Sequence, residues 1–207
     1  MKMGKSMQKN NYRGRLFVIS GPSGVGKGTL RHELFQCVAD LHYSVSVTTR
    51  KPRKNEKEGR DYFFVDEQTF KRYIEENKFA EWALVHGDYK GTLFSTINES
   101  LSKGMDLVLE IDVQGAIELR KKFPEAIYIF IAPPSWEQLE DRLRGRKTER
   151  EEDLKKRLHD AHNELKKIKY YDYLIINNHF SKALEELKSI IISERCKIKE
   201  QKLNFTL

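Results

Sequence analysis

Long apolar runs and paired cysteines are both missing from this sequence. No segment approaches the roughly 18–20 consecutive apolar residues that a membrane-spanning helix needs, and the polar residues 1–11 lack the apolar middle of a secretory signal. The two cysteines, Cys37 and Cys196, lie far apart without a CxxC partner, which argues against a disulfide framework or a zinc ribbon. We therefore expect a cytoplasmic protein with no membrane partner.

Basic residues, by contrast, are in excess. The 38 Lys and Arg against 31 Asp and Glu give a formal charge of +7, which implies anionic partners. The arginines form two compact groups, one at positions 50, 53 and 60 and the other at 142, 144, 146, 150 and 157. Compact groups fit small polyphosphates better than a long duplex. Because no stacking-aromatic or groove-helix signature is present, we expect no nucleic-acid partner.

Strands alternate with helices at both ends of the chain. The apolar run 15–20 ends in glycines and precedes a helical pattern over 29–38. Apolar strands at 106–111 and 126–131 enclose a helical stretch at 114–122, and a strand at 173–177 precedes a final helix with Ser181 as its expected N-cap. This alternation predicts an α/β fold, a P-loop-type parallel sheet flanked by helices. The length of 207 residues fits one domain.

The middle of the chain, about residues 44–98, interrupts this alternation. It carries strand patterns at 44–49, 62–65 and 79–85 and a helix for which Asp66 is the expected N-cap. We expect an inserted mixed-β lobe there, and a helical lid over about residues 142–165, where Leu154, Leu158 and Ala161 follow a helical period. The core then comprises about residues 15–43, 99–141 and 166–200.

A glycine-rich loop stands between the first strand and the first helix. Its glycines let backbone N–H groups converge on phosphate oxygens, and the helix N-terminus adds its positive end. Lys27 is expected to reach the β- and γ-phosphates of a nucleoside triphosphate. The residues predicted to bind ATP are Gly21, Pro22, Ser23, Gly24, Val25, Gly26, Lys27, Gly28 and Thr29.

One position of this loop departs from the general pattern. Ser or Thr normally follows the lysine and binds Mg²⁺, but this chain has Gly28 there and a hydroxyl one residue later, at Thr29. The Gly-Lys-Gly-Thr order resembles that of adenylate kinases, so Mg²⁺ with ATP is still the expected cofactor. Thr29 and Asp112 are the candidates to assist it, and the sequence assigns no certain metal ligand.

Six further segments occur in a fixed order. They are SVSVTTRKPR (44–53), EGRDYFF (58–64), EW (81–82), YKGT (89–92), LEIDVQG (109–115) and FIAPPS (130–135). Together with the glycine-rich loop this set resembles guanylate kinases over roughly residues 15–195. The resemblance implies a nucleoside monophosphate kinase that transfers the γ-phosphoryl group of Mg-ATP to GMP or dGMP, giving ADP and GDP in purine nucleotide metabolism.

The predicted acceptor-phosphate site contains basic residues and a tyrosine. Arg50 and Arg53, held three apart by Pro52, can grip one phosphate with planar guanidinium groups, and Tyr62 can add a hydroxyl donor. Guanylate kinases usually carry a tyrosine where this chain has Lys90. A lysine at this position can donate to the same phosphate or can point to solvent, and the sequence leaves both readings open.

The predicted base pocket centres on a carboxylate. A buried Glu81 could accept the N1–H and the exocyclic amine of guanine, and adenine has neither donor in those positions. An edge-strand carboxylate beside a core tryptophan is the structural alternative. By resemblance, Ser46 and Thr92 complete the pocket, and Asp112 lies near the guanine amine and the metal. Asp112 could instead be a buried aspartate that caps the next helix.

The second arginine group matches the lid of guanylate kinases and its flanks. Charge develops on the phosphoryl group during transfer, so fixed guanidinium groups there lower the barrier. Arg142, Arg146 and Arg157 are the candidates, and with Lys27 and Arg50 they make up the predicted catalytic set.

Other functions remain to be weighed. Guanylate-kinase-like scaffold domains bind peptides without catalysis, but they typically lack the phosphate loop or its lysine, and Lys27 is present here. A kinase of similar fold could use AMP or a sugar phosphate, although Glu81 argues against AMP. Either a monomer or a homodimer is compatible with the sequence.

Overall fold

The strands form two separate sheets. The computed structural model describes residues 13–53, 55–85, 87–145 and 151–197. Within them the strands are β1 (Leu16–Ser20), β2 (Leu41–Tyr43), β3 (Ser46–Thr48), β4 (Tyr62–Phe64), β5 (Phe79–Val85), β6 (Asp88–Leu93), β7 (Asp106–Glu110), β8 (Ile127–Ala132) and β9 (Tyr173–Ile176). The helices are α1 (Lys27–Cys37), α2 (Glu67–Glu75), α3 (Phe94–Ser102), α4 (Val113–Lys122), α5 (Trp136–Arg144), α6 (Glu151–Leu165) and α7 (Phe180–Arg195).

The first sheet is parallel throughout and has the order β2-β7-β1-β8-β9. Parallel sheets are covered on both faces, and the side chains of β1 alternate accordingly. Phe17 and Ile19 pack into the cluster that includes residues of α1, α5, α6 and α7. Leu16 and Val18 pack into the cluster that includes residues of α3 and α4. The predicted parallel α/β core is confirmed.

The topology of this sheet brings two predicted site segments together. Neighbouring parallel strands end at the same edge of a sheet, and ligands of open α/β folds bind there. β1 ends at Ser20, directly before the glycine-rich loop, and its neighbour β7 ends at Glu110, two residues before Asp112.

The second sheet is mixed and has the order β4-β3-β6-β5. β3 pairs with β4 in parallel, whereas the other pairs are antiparallel. Its core contains Val47, Phe70 and Phe79, and Phe70 and Phe79 stack with ring centroids 4.4 Å apart. Asp66 caps α2 as predicted, because its side chain accepts the backbone N–H of Thr69 at 2.6 Å.

The structure differs from the sequence-based expectations at four places. β2, β6 and α3 were not predicted, although β2 forms one edge of the parallel sheet and β6 lies inside the second sheet. The expected cap at Ser181 is wrong. α7 begins at Phe180, so Ser181 already lies inside the helix, and His179 is the N-cap residue without a side-chain cap bond. The Asn178 N–H donates to the Ile176 carbonyl at 2.9 Å, so a tight turn connects β9 to α7.

Two further findings concern cysteine and hydropathy. Cys37 and Cys196 are both free thiols and exposed, as their separation in the sequence predicts. Among the described residues, no helix has the combined length and apolar character that a membrane crossing requires.

Candidate active site

A cleft of about 510 Å³ lies where the glycine-rich loop, the second sheet and α6 meet. Three parts of the fold line it. The glycine-rich loop and the start of α1 contribute Gly21, Ser23, Gly24, Gly26, Lys27, Gly28 and Thr29. The second sheet and its connections contribute Ser46, Arg53, Tyr62, Glu81 and Lys90. The third part consists of the end of β7, the residues after it and α6, which contribute Glu110, Asp112, Arg157 and Glu164. The structure therefore collects most of the sequence-predicted site residues in one place.

The glycine-rich loop wraps one end of the cleft. Gly24 and Gly26 have φ of 88° and 93°, in the left-handed region that favours glycine. The Lys27 ammonium group folds over the loop and donates to the carbonyl oxygens of Gly21 at 2.5 Å and Pro22 at 2.9 Å. Lys27 also lines the cleft, so its ammonium group lies at the loop end of the cleft.

The basic residues of the second sheet surround another part of the cleft. Arg53, Tyr62 and Lys90 line it, and the Arg50 guanidinium lies 5.4 Å from the centroid of the Tyr62 ring. Burial, together with the charge of nearby Arg50, lowers the pKa of Lys90. Lys90 therefore faces the cleft in this structure, which favours the first of the two sequence readings.

Arg50 is already paired with a carboxylate that the sequence analysis did not single out. Its Nη2 donates to both carboxylate oxygens of Glu56, at 2.7 and 2.9 Å, and the Arg53 backbone N–H donates to the same carboxylate at 2.8 Å. Burial opposes ionisation, but these hydrogen bonds outweigh it and lower the pKa of Glu56. Glu56 therefore occupies two donors of the predicted acceptor-phosphate site, Arg50 Nη2 and the Arg53 backbone N–H.

Glu81 lies at the buried base of the cleft. It is 3% exposed, and the Thr92 hydroxyl donates to its Oε1 at 2.7 Å, with Ser46 Oγ 3.5 Å from Thr92 Oγ1. Burial raises the pKa of Glu81 to about 8 in spite of the Thr92 hydrogen bond. β5 is an edge strand of the second sheet, so Glu81 is an edge-strand carboxylate, but the adjacent Trp82 is 39% exposed and is not a core tryptophan.

Asp112 caps the next helix, one of the two roles that the sequence left open, and its role at the base or the metal stays a prediction. Its Oδ1 accepts the Gly115 N–H at 2.9 Å and caps α4, while the residue also lines the cleft. The preceding Glu110 has its own partner, because its carboxylate lies 2.9 Å from Arg31 Nε.

The lid arginines differ in where they lie. Arg157 on α6 lines the cleft. Arg142 on α5 donates from Nη2 to the backbone oxygen of Asn177 at 3.0 Å, outside the residues that line the cleft. Arg146 lies outside the described residues. The exposed Arg144 pairs with Glu140 at 2.7 Å and with Glu151 at 3.3 Å.

Comparison of the sequence with known proteins assigns the chain to a family. The family model described as guanylate kinase matches residues 13–194. The chain belongs to the guanylate kinase family. Guanylate kinases are nucleoside monophosphate kinases that transfer a phosphoryl group from ATP to GMP.

Individual relatives agree with this assignment. The guanylate kinase of Caldanaerobacter subterraneus subsp. tengcongensis is 47% identical over 190 residues, 92% of each chain. That of Geobacter sulfurreducens is 47% identical over 184 residues, 89% of this chain and 91% of the relative. The crystal structure of guanylate kinase from Anaplasma phagocytophilum superposes with a TM-score of 0.76 at 33% identity, over 92% of this chain and 91% of that one.

In this guanylate kinase-family chain the cleft also contains a carboxylate that the sequence analysis missed. Glu164 on α6 lines the cleft seven residues after Arg157, two helical turns along the same face. Burial raises the pKa of Glu164 to about 7, against the opposing charge of Lys27 and with a contribution from Asp112. The helical period could have indicated its face, but only the packed structure shows which groups it meets.

Proposed function

We propose that the cleft transfers the γ-phosphoryl group of Mg-bound ATP to GMP or dGMP, giving ADP and GDP, and that Glu81 selects the guanine base. The observation that carries this proposal is a buried carboxylate in the same cleft as the Lys27 ammonium group. A lysine on a glycine-rich loop suits the donor phosphates. A carboxylate buried at the base suits a ring that offers two adjacent N–H donors.

The base pocket supports guanine on hydrogen-bonding grounds. The Glu81 carboxylate keeps acceptor capacity beyond the Thr92 hydroxyl, because each ionised oxygen can accept more than one bond. Guanine would supply its N1–H and its 2-amino group. Adenine would leave the carboxylate unpaired, and a buried unpaired polar group is costly.

The acceptor phosphate is assigned to Arg50, Arg53, Tyr62 and Lys90. Arg53, Tyr62 and Lys90 line the cleft, and Arg50 is held beside the Tyr62 ring. In this proposal the GMP phosphate replaces the Glu56 carboxylate at Arg50 Nη2, which donates to both Glu56 oxygens in this structure. That exchange swaps one anion for another and leaves the guanidinium paired in both states.

Mg²⁺ with ATP is assigned to the donor side, where oxygen donors suit a hard cation. Thr29 and Asp112 line the cleft beside Lys27, and we assign to them the support of an ion held mainly by phosphates and water. The ion would neutralise charge on the β- and γ-phosphates.

Catalysis in this proposal is a matter of position and electrostatics. The GMP phosphate oxygen attacks the γ-phosphorus in line while the bond to the β-phosphate oxygen breaks, and no covalent enzyme intermediate forms. Lys27, Arg157, Arg142 and Arg146 would stabilise the charge that develops on the transferring group. Exclusion of water by the lobe and lid would limit hydrolysis of ATP.

A panel of acceptors tests the proposal. ADP release from ATP would be measured by a coupled assay with GMP, dGMP, AMP and CMP at equal concentrations. We expect turnover with the two guanine nucleotides and little with the others. Equal kcat/KM for AMP and GMP would contradict the role given to Glu81.

A further inference from the structure

Strand β5 contains a bulge directly before Glu81. Two residues of β5, Phe79 and Glu81, pair with two consecutive residues of β6. Ala80, which lies between them, is therefore an extra residue on β5. Bulges of this kind redirect the side chains of the strand that carries them, and this one lies next to the carboxylate to which we assign the guanine base.

The bulge determines the face of the sheet on which Glu81 lies. Residues two apart on a regular strand point to the same face. Phe79 packs into the core of the second sheet beside Phe70, so on a regular strand the Glu81 side chain would point into that apolar cluster. It points instead to the opposite face, where it accepts the Thr92 hydroxyl and lines the cleft. The extra residue thus turns Glu81 toward the base pocket.

A lysine from the other layer holds the backbone of this bulge. Lys122 is the last residue of α4, and its ammonium group donates to the Phe79 carbonyl at 3.2 Å and to the Ala80 carbonyl at 2.7 Å. The Ala80 carbonyl belongs to the peptide unit that leads into Glu81. Because a peptide unit is planar, a bond that fixes this carbonyl also fixes the plane from which the Glu81 backbone continues.

The same face of α4 borders the Glu81 carboxylate. Gly115 and Lys122 are seven residues apart on α4, which is about two helical turns, so they lie on one side of the helix. Gly115 lies next to the carboxylate of Glu81, and Ala80 is buried in the same cluster as Leu119 of α4. One helix face therefore leaves room for the carboxylate and bonds the backbone that precedes it.

We propose that Lys122 is a positioning residue for guanine recognition, and that it acts by holding the bulge that aims Glu81 at the base pocket. The inference rests on the proposed function in assigning the base to Glu81. It gives Lys122 no contact with either nucleotide. A carboxylate that is held in place before the base arrives accepts two adjacent N–H groups at a lower cost than a mobile one.

The test replaces the lysine by other unbranched side chains. Lys122→Met removes the ammonium group and keeps an unbranched stem, and Lys122→Arg keeps a cationic donor. The three residue types have similar helix propensities, and residue 122 is exposed, so both variants should fold. Lys121→Met is the matched control, because this exposed neighbour pairs with Glu118 of its own helix at 2.7 Å.

Two purine nucleotides separate base recognition from general damage. GMP offers Glu81 an N1–H and a 2-amino group, whereas IMP has the N1–H but no 2-amino group. Binding of GMP, IMP and Mg-ATP would be measured by calorimetry with one nucleotide at a time. We expect Lys122→Met to bind GMP roughly three- to tenfold more weakly, to lose part of the preference for GMP over IMP, and to bind Mg-ATP as the parent does. Lys122→Arg should recover most of this preference, and Lys121→Met should match the parent.

Other outcomes would count against the inference. An unchanged ratio of the GMP and IMP dissociation constants in Lys122→Met would overturn it, because damage that is merely structural weakens both nucleotides equally. Equal defects in Lys122→Met and Lys121→Met, or no recovery in Lys122→Arg, would also overturn it. If Lys122→Met does not fold, Lys122→Ala removes the same donor with the best helix former and is judged by the same ratio.

The proposed function can fail separately from this inference. Failure of the parent protein to phosphorylate GMP would contradict that function and leave the ratio of dissociation constants readable. Equal binding of GMP and IMP by the parent would contradict the assignment of the base to Glu81 and, with it, the role of Lys122. A parent that prefers GMP, with the same preference in Lys122→Met, would contradict the role of Lys122 alone.

Discussion

Glu81 Oε2 occupies the space that a side chain at residue 115 would need, since a β-carbon on Gly115 would lie 2.4 Å from it. Glu81 belongs to β5 of the second sheet, and Gly115 belongs to α4, which packs on the parallel sheet. The Glu81 carboxylate can therefore occupy this buried position because residue 115, on a helix of the other layer, is a glycine.

Gly115→Ala should therefore raise KM for GMP while KM for ATP stays constant. Alanine suits a helix interior better than glycine by about 1 kcal/mol, so loss of helix stability is not the expected cause. The cause is displacement of Glu81 from its place against Thr92. Steady-state kinetics with each nucleotide varied in turn measures the effect, and Gln114→Ala at the exposed neighbouring position is the control. A normal KM for GMP in Gly115→Ala would show that the position of Glu81 is unimportant.

Glu81→Gln should reduce the preference for GMP over AMP. The glutamine amide can present an N–H where guanine itself donates, so one base contact becomes repulsive or is lost. Leaving a buried donor unpaired costs about 1–3 kcal/mol, or roughly five- to 150-fold in kcat/KM for GMP. Competition between GMP and AMP in one reaction measures the ratio, and an unchanged ratio would remove Glu81 from base selection.

The parent protein and Glu81→Gln should also differ in how KM for GMP depends on pH. Burial raises the pKa of Glu81 to about 8, so the free protein holds a proton there at neutral pH, whereas guanine needs the ionised form. KM for GMP should fall as the pH rises through about 8 in the parent and stay flat there in Glu81→Gln.

The free energy of unfolding should fall over the pH range in which GMP binding improves. A carboxyl whose pKa is raised on folding contributes stability that is complete below its ordinary pKa and is lost as the pH rises through the folded value. The free energy of unfolding of the parent should therefore fall between about pH 5 and pH 8 more than that of Glu81→Gln, since Glu164 contributes equally to both. Denaturant titrations at several pH values test this, and parallel curves would contradict it.

Local chemistry accounts for the parts of the fold that the sequence predicted. The glycine-rich loop, the Asp66 cap and the apolar strand β1 depend on residues close together in the chain. β2 has three residues, and its strand character depends on pairing with the distant β7. α3 follows β6 directly, with Leu93 as an N-cap residue that makes no side-chain cap bond. Neither element therefore carries a local signal.

The residues of the candidate site also fall into two groups, those that the sequence predicted and those that only the packed structure shows. Lys27, Glu81 and Asp112 belong to sequence segments with recognisable order. Glu164 and Lys122 act through packing, because one needs α6 to lie over the loop and the other bonds carbonyls 42 and 43 residues away in the chain. Sequence patterns on single elements do not contain that information.

Lys90→Ala should raise KM for GMP, since Lys90 lies in the cleft beside Arg53 and Tyr62. The loss of one charge-assisted hydrogen bond corresponds to about 1.5–3 kcal/mol, or roughly ten- to a hundredfold. The defect should be larger at low ionic strength, and Lys90→Tyr should recover part of the affinity with a weaker salt dependence. Lys71→Ala, at an exposed lysine of α2 in the same lobe, is the control. A KM that does not move at any ionic strength would leave Lys90 without a role.

Thr29→Ala should raise the Mg²⁺ concentration required for half-maximal turnover, because it removes the hydroxyl nearest to the usual metal position. Gly28→Ser should be tolerated, since a β-carbon there would meet Glu110 Oε1 at 3.7 Å, an ordinary contact. Mg²⁺ titrations at fixed ATP compare the two variants with the parent. An unchanged titration for Thr29→Ala would exclude Thr29 from metal support.

Transfer of labelled phosphate tests the central claim most directly. The parent protein and a folded Lys27→Ala variant would be incubated with Mg²⁺ and ATP that carries a radioactive γ-phosphoryl group, with GMP or AMP as acceptor. We expect labelled GDP from the parent, very little labelled ADP from AMP, and a loss of roughly a hundredfold or more in Lys27→Ala, because the lysine serves the transferring phosphates. Parent-like GDP formation by folded Lys27→Ala, or equal labelling of AMP and GMP, would contradict the account.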